Sequence, residues 1–452
     1  MSDALSWDDL DGHRIGIYGL GREGEASLRA CQARGIEPLL VDDNPPAGGV
    51  EGRKVLATAE GGFDALSVCE IVIKSPGISR YADQVTALED QGVRVVGGLG
   101  LWVEGADPDK VVLITGTKGK STTAAITGHL LKGLGYRTLV GGNIGVPPFD
   151  PALDPAVGGP AQDFWVIEVS SYQATDILSA PHVVGVTSLN PDHLPWHRNE
   201  LETYYRDKLS LAGRPGARWT VANGDSAEIR DRAALLGPRI EWVTAVQGEE
   251  KWIDELGLLG VHNRRNAAIA RTMLQKLGVK QADDEDELAR AAAGFAGLES
   301  RLQQVGMIDQ VSFVDDGLST NVLPTLAAVE AFEGRRVALI VGGQDRGIDY
   351  RPLAEGLRER ESEVLVLTTP DNGPRIASEL NQTGCGPHAT VKETADLDEA
   401  VEEGYAWARP NGVVLLSPAA PSFGRFRDYR HRGEAFVEAM NRISRRGPGS
   451  PG

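Results

Sequence analysis

Cysteine is scarce in this chain, and the placement of the few present excludes two uses of thiols. Cys31, Cys69 and Cys385 are odd in number, widely spaced and outside any metal-ligand pattern. They read as reduced thiols of a cytoplasmic protein, not as a disulfide framework or a zinc site. Long apolar runs are also missing. Nowhere do about 18 apolar residues follow one another, and the N-terminal stretch is polar and acidic, so neither a membrane span nor secretion is expected. Positive charge is in deficit: 46 Lys and Arg stand against 64 Asp and Glu, a formal net charge of −18. That balance argues against nucleic acid or an anionic membrane as a partner. Phosphates, where bound, must be held by local Lys and Arg side chains, backbone N–H groups and Mg²⁺.

Glycine and proline are plentiful, at 55 and 25 residues, while only 24% of residues are charged. This suits a turn-rich α/β enzyme. A length of 452 residues exceeds what one hydrophobic core usually serves, so two or three domains are expected. The most informative stretch is Val111 to Thr123. A β-branched and aliphatic run ends in Gly116-Thr117-Lys118-Gly119-Lys120-Ser121-Thr122, and a helix follows from Thr122 to about Leu131. Strand, glycine loop and helix in that order make a phosphate-binding loop. Its N–H groups turn toward phosphate oxygens, Lys120 places a cation beside them, and Ser121 offers a hydroxyl to Mg²⁺ at the positive end of the helix.

Before this loop, a strand at Arg14 to Tyr18 leads into Gly19-Leu20-Gly21-Arg22-Glu23-Gly24, then a helix, a strand at Pro38 to Val41, and Asp42. The glycine spacing and the later acid fit a dinucleotide, the diphosphate and ribose of a UDP-sugar, or a tight βα turn with no ligand. A strand at Glu70 to Ile73 ends at Ser75-Pro76-Gly77, a usual place for ligand contacts. Gly97 to Asp109, rich in Gly, Asp and Pro, reads as a linker. After the loop, Asp163 to Gln173 reads as a strand with a carboxylate, Glu168, near its end, able to anchor Mg²⁺ beside phosphates. Val183 to Leu189 is a strand that ends in Asn190-Pro191-Asp192-His193, where the Asp–His pair can serve a second metal. Lys208 sits on a helix from Leu201 to Ala212, among aromatic and apolar neighbours able to desolvate it. Asn263 and Asn266, three apart at a helix start, share one face and can bracket a purine, although Asn263 also suits an N-cap. From Gln310 a further βα series runs to a last strand at Gly412 to Leu416, giving a parallel-sheet third domain. The tail from Arg445 reads as disordered.

Taken together, Gly116 to Thr122, Gly142-Asn143-Ile144-Gly145, Glu168-Val169-Ser170-Ser171-Tyr172-Gln173, Asp192-His193, Tyr205-Arg206-Asp207-Lys208, His262-Asn263-Arg264-Arg265-Asn266, Asp316-Gly317-Leu318-Ser319-Thr320-Asn321 and Leu416-Ser417-Pro418-Ala419 fall in one order and spacing. In these motifs the chain resembles the Mur ligases, and with its Gly19 to Gly24 opening it is most similar to the MurD branch. The resemblance implies an α/β protein of three domains. These are a Rossmann-like UDP-sugar-binding domain over residues 1–100, a P-loop ATPase-like central parallel sheet over 101–298, and a Rossmann-like glutamate-binding domain with its tail over 299–452.

It further implies a cytoplasmic, monomeric, ATP-dependent ligase that adds glutamate to UDP-N-acetylmuramoyl-L-alanine through an acyl phosphate. Lys120 and Ser121 would hold the ATP phosphates and a first Mg²⁺, with Glu168 as ligand. His193 would ligate a second Mg²⁺, and Lys208 would be carbamoylated, its new carboxylate aiding the metals. Asn263, Asn266, Arg301 and Asp316 would contact ATP, while Gly19, Gly21, Gly24, Asp42, Ser75 and Asn143 would face the UDP-substrate. For glutamate, Thr320, Arg346, Ser422 and Tyr429 are expected around Leu318. Two departures stand out. Lys118 replaces the family's usual Asn, and Leu318 stands where the D-glutamate-adding branch carries a lysine that pairs with the incoming carboxylate. Loss of one charge-assisted contact, roughly 1.5–3 kcal/mol, favours L-glutamate over D-glutamate. Competing expectations are a D-glutamate ligase, a folylpolyglutamate-type ligase (disfavoured by Gly19 to Gly24), a non-catalytic nucleotide-binding regulator, and an NAD dehydrogenase.

Overall fold

The computed structural model describes residues 4–245, 250–297 and 299–446. Three sheets follow one another along the chain. The first contains β1 (Ile15–Tyr18), β2 (Leu39–Asp42), β3 (Leu56–Ala57), β4 (Ile71–Lys74) and β5 (Arg94–Gly97), all parallel, in the order β3-β2-β1-β4-β5. Strand order reverses between β1 and β4, and the Gly19 and Ser75 loops leave those two strands at this switch point.

The second sheet holds β6 (Val111–Thr115), β7 (Thr138–Gly142), β8 (Phe164–Glu168), β9 (Val183–Val186), β10 (Trp219–Asn223) and β11 (Ile240–Val243), again all parallel, in the order β11-β10-β9-β6-β8-β7. Every residue of β6 and β9 is buried, as continuous apolar strands covered on both faces must be. Register sets the chemistry here. Ile114 pairs with Glu168 on one side and with Gly185 on the other, so the ends of β8 and β9 flank the start of the phosphate loop.

The third sheet contains β12 (Gln303–Ile308), β13 (Val311–Asp315), β14 (Val337–Val341), β15 (Val364–Thr368), β16 (Ala389–Glu393) and β17 (Val413–Leu416), in the order β12-β13-β17-β14-β15-β16. The chain is therefore α/β with three sheets, as the sequence led us to expect, but this sheet is not wholly parallel. β12 pairs antiparallel with β13. Asp309 and Gln310, with φ of 46° and 65°, join them in a two-residue turn whose positive angles match the twist of a hairpin.

The stretch taken as a linker is largely a helix, Gly98–Gly105, which buries Leu99, Leu101, Trp102 and Val103. Its glycines serve close packing: a Cβ on Gly100 would lie 2.2 Å from the Asp176 carbonyl oxygen. The same core cluster takes in Trp7, Leu28 and Trp102 from the first sheet's layer and Phe149, Trp165 and Ile177 from the second's. The C-terminal helix runs over Tyr429–Arg446, so Arg445 is helical, and the remainder of the tail lies outside the described residues. By compactness the chain forms two units. One is Met1–Leu256 with Arg265–Phe295, and the other is Gly257–Arg264 with Ala296–Gly452. Among the described residues no helix is long and apolar enough to cross a membrane.

Candidate active site

β6 delivers the chain into the phosphate loop, and the helix Lys120–Gly133 begins directly after it. Gly119 caps this helix with φ of +84°, and a Cβ there would meet the Asn266 side-chain oxygen at 2.8 Å. Glycine is required on both counts. The loop is laced to the end of β9. Thr117 N–H donates to the Ser188 carbonyl at 2.8 Å, and Lys118 N–H donates to Ser188 Oγ at 2.8 Å. Thr117 Oγ1 lies 2.9 Å from the Tyr204 hydroxyl. Lys120 Nζ donates to the Thr117 carbonyl at 3.1 Å, and Ser121 and Thr122 follow in the first, buried turn.

Glu168 closes β8 and is 1% exposed. Its Oε1 accepts from Asn143 Nδ2 at 2.8 Å, while Oε2 is buried with no hydrogen-bond partner. A buried carboxylate oxygen without a partner is costly unless a cation completes it. This fits Mg²⁺, which takes one or two protein oxygens and fills its other positions with water and phosphate. Among the described residues no three His, Cys, Asp or Glu side chains form a ready-made metal cluster, so such an ion would depend on phosphate oxygens.

Lys208 is buried on the helix Leu201–Gly213 and donates to the Gly116 carbonyl at 3.0 Å, with its ammonium 5.1 Å from the Tyr204 ring centre. Burial, reinforced by the charge of Lys120, pulls its pKa well below the ordinary amine value against the opposing pull of Asp192 and Glu168. His193 has φ of +49° and about half of its side chain exposed. Desolvation lowers its pKa, Asp192 opposes this, and Lys208, Lys118 and Lys120 add to the lowering, so the ring favours its neutral, ligating form. The charges of Lys120 and Glu168 thus act on Lys208, and that of Lys208 acts on His193.

At the first sheet's switch point a cavity of about 410 Å³ is lined by Gly19, Gly21, Arg22, Glu23, Asp42 and Ser75, among others. Gly24 does not line it. Gly24 packs beneath, where a Cβ would come within 2.0 Å of the Gly19 carbonyl oxygen. Asp42 accepts the Leu20 N–H at 2.6 Å and the Asn44 N–H at 2.8 Å, shaping the turn. Glu23, half-buried in this lining and bonded by Gln173 Nε2, has its pKa raised to about 7, mainly by desolvation. Asn143 does not itself line this cavity but bonds Arg22, which does. It bonds Glu168, and its carbonyl accepts Arg22 Nη2 at 2.6 Å.

In the C-terminal unit, Asp316 is buried, accepts from the Ser417 hydroxyl at 2.7 Å and from the Leu302 N–H at 3.2 Å, and is pushed up to about 6 by burial, with Arg301 among the groups that oppose this. Asn263 Nδ2 donates to the Leu259 carbonyl at 2.8 Å in the same unit. Ser422 lines a cavity of about 380 Å³ together with Arg425 and Arg432. Leu318, Thr320, Arg346 and Tyr429 do not line it. Leu318 and Tyr429 are half-buried, whereas Thr320 and Arg346 are exposed.

Residues 114–254 match the Mur ligase middle domain, and residues 300–420 match the Mur ligase glutamate ligase domain. A UDP-N-acetylmuramoyl-L-alanine–L-glutamate ligase of a Micromonospora species is 40% identical over 456 residues, covering 96% of this chain and 97% of that protein. The chain belongs to the Mur ligase family. A Salinispora tropica protein of the same name is 38% identical, over 96% of this chain and 98% of its own length. Among solved structures, the UDP-N-acetylmuramate–alanine ligase MurC of Thermotoga maritima shares the fold with a TM-score of 0.55 at 19% identity, covering 95% of this chain and 100% of that one.

Tyr204, one of the aromatic neighbours expected to desolvate Lys208, lies four residues before it and hence on the same helix face. Two other residues of this Mur ligase's site were not foreseen. Ser188 and the buried His197 carry no local pattern, because their partners come from distant segments.

Proposed function

We propose that this chain joins glutamate to UDP-N-acetylmuramoyl-L-alanine with ATP hydrolysis, in the cytoplasm, as a step in making peptidoglycan precursors, and that L-glutamate is the favoured enantiomer. The observation that carries the reading is the gathering of a lysine-bearing phosphate loop after β6, a buried carboxylate with an unpartnered oxygen at the end of the adjacent β8, and a desolvated lysine that reaches the loop's Gly116 carbonyl from the helix Leu201–Gly213. An ATP-driven amide ligase brings two anions together, so its catalysis is chiefly positioning and charge neutralisation. The substrate carboxylate attacks the γ-phosphate, ADP leaves, and the glutamate amine displaces phosphate from the acyl phosphate.

In this scheme the loop N–H groups and Lys120 hold the phosphates, and Asn266 packs against the loop. Asn263, Arg301 and Asp316 would contact ATP, as their motif positions imply. The 410 Å³ cavity takes the UDP-substrate. Ser121, Glu168, His193 and a carbamoylated Lys208 would hold two Mg²⁺ ions, which supply charge neutralisation between the phosphates and the attacking carboxylate. A neutral lysine amine is the form that adds CO₂, and the lowered pKa of Lys208 favours that form.

The choice of L-glutamate is supported by Leu318 at the position where a cation would hold the D-enantiomer's carboxylate, and by relatives named for L-glutamate. Ser422, Thr320, Arg346 and Tyr429 would complete that pocket. The test is ADP release that requires both UDP-N-acetylmuramoyl-L-alanine and glutamate, measured with each enantiomer. L-glutamate is expected to give the higher kcat/KM, and Leu318→Lys to shift the ratio toward D-glutamate. Preference for D-glutamate by the parent enzyme rejects the enantiomer assignment, and ADP release independent of both substrates rejects the ligase.

A further inference from the structure

Beside the residues already discussed lies a buried polar series with no role in the scheme above. Asp207 Oδ2 is 2.6 Å from His197 Nδ1, and His197 Nε2 is 3.0 Å from Ser171 Oγ. The carboxylate fixes the proton on Nδ1, which leaves Nε2 to accept the Ser171 hydroxyl. The other oxygen of Asp207 accepts the Tyr81 hydroxyl at 2.7 Å. Desolvation and the Asp207 charge raise the Tyr81 pKa, so the phenol stays a donor. Carboxylate, imidazole and serine hydroxyl are aligned as in a hydrolase. Yet Ser171 is 2% exposed and His197 wholly buried, packed against Trp196 and Tyr204 at ring-centre distances of 4.6 and 5.1 Å. No substrate can reach that hydroxyl, so nucleophilic attack is excluded and position is what remains.

The members of the series come from distinct segments. Ser171 begins the turn of helix that follows Glu168, His197 ends the short turn opened by His193, and Asp207 precedes Lys208. Tyr81 comes from the loop after β4. That loop is fastened to the His197 turn twice more: Ser79 Oγ donates to the Trp196 carbonyl at 2.7 Å, and Trp196 Nε1 donates to the Pro76 carbonyl at 3.1 Å. We propose that His197 is a positioning residue. With Asp207 and Ser171 it forms a buried relay that fixes the segments of Glu168, His193 and Lys208 relative to one another and ties them to the loop beside the 410 Å³ cavity. Occupancy of that cavity would then be felt at the phosphate end through hydrogen bonds inside one compact unit.

Two variants of the full chain test this at the ends of the relay. Tyr81→Phe and Ser171→Ala each delete one hydroxyl and leave His197 in place. Each is expected to lower kcat about tenfold, which corresponds to about 1.4 kcal/mol, with KM for ATP unchanged. The double variant is expected to lose about as much as either single one, since cutting at either end frees the same join. Losses that multiply, or a kcat within about twofold of the parent, overturn the proposal.

This kinetic arm rests on the ligase reading. A second arm does not: hydrogen–deuterium exchange of Tyr81→Phe is expected to quicken at the amides of the Ser171–Ala174 helix, with which Tyr81 shares no hydrogen bond or ring pair among the described residues. Exchange there equal to the parent's overturns the relay, and it does so whether or not the chain turns over. A parent chain that releases no ADP defeats the ligase reading alone, and the exchange result then decides the relay. Should Tyr81→Phe unfold, the same exchange is read at the loop after β4 in Ser171→Ala, with the same two outcomes.

Discussion

Lys208 shows what a single residue owes to its surroundings. On a surface helix it would be an ordinary cation, but here it is buried against the Gly116 carbonyl and the Tyr204 ring, with Lys120 nearby. Burial and the Lys120 charge make the charged amine less favourable than the neutral one, and the carbonyl and the ring offset this only in part. Carbamoylation would convert this misplaced cation into an anion, which suits a site crowded by Lys118 and Lys120. Lys208→Ala is therefore expected to lower kcat on the order of 10²–10³, the scale of removing one preorganised electrostatic contact. Formate or acetate should restore part of it by supplying the missing carboxylate. Steady-state ADP release with and without these acids checks this, and an inactive variant that no short acid improves would point to the amine itself as the working group. Lys208 was legible in the sequence through its motif and apolar neighbours. The partner of Asn143 was not. Its amide holds Glu168 Oε1, joining the loop after β7 to the last residue of β8, a contact that no local spacing encodes.

Elements were legible wherever one period ran its full length. The strands β1, β4, β6, β8, β9, β14, β15 and β17 read as short apolar runs because parallel strands are covered on both faces, and the loops at their ends carried the phosphate and dinucleotide signatures. Two misreadings share one cause: composition was taken for flexibility or for pattern. The Asp309-Gln310 turn lacks the glycine that usually announces a hairpin, so β12 went unseen. Gly97 to Asp109 holds glycines because the helix Gly98–Gly105 passes close to other backbone, not because it is a linker. The structure separates these meanings within one helix. A Cβ on Gly100 would meet the Asp176 carbonyl oxygen at 2.2 Å, whereas one on Gly105 would meet nothing nearer than the Ser6 Cβ at 3.5 Å. Gly100→Ala is expected to destabilise by about 1–3 kcal/mol, the usual cost of overpacking. Gly105→Ala should be neutral or raise stability by up to about 1 kcal/mol through helix propensity. Urea unfolding of the two variants checks the contrast, and equal effects would mean that helix propensity, not close packing, governs both positions.

At the scale of the whole molecule, what the sequence could not show is how its modules are held. The first and second sheets share a core, and at its polar edge Lys74 Nζ meets Asp176 Oδ2 at 2.6 Å with both side chains buried. Lys74 also donates to the Ile78 carbonyl at 3.2 Å, and Arg80 Nη1 lies 3.4 Å from Asp176 Oδ1. Residues 102 positions apart give no signal that they pair, and a lysine ending an apolar strand reads as a strand terminus. The pair also fixes the exit of β4 into the Ser75 loop, so its integrity bears on the cavity there. Breaking a buried pair leaves one charge uncompensated, typically at a cost of about 3–5 kcal/mol, whereas replacing both partners by apolar groups is often neutral. Lys74→Met is thus expected to be more destabilising than the double replacement, although Arg80 remains to offset the Asp176 charge and should hold the loss toward the lower end. Lys74→Met with Asp176→Leu should recover most of the stability while leaving Arg80 without that partner. Thermal unfolding of the single and double variants distinguishes the cases. A double variant no more stable than Lys74→Met would show that the pair contributes its own net attraction to the join between the two sheets.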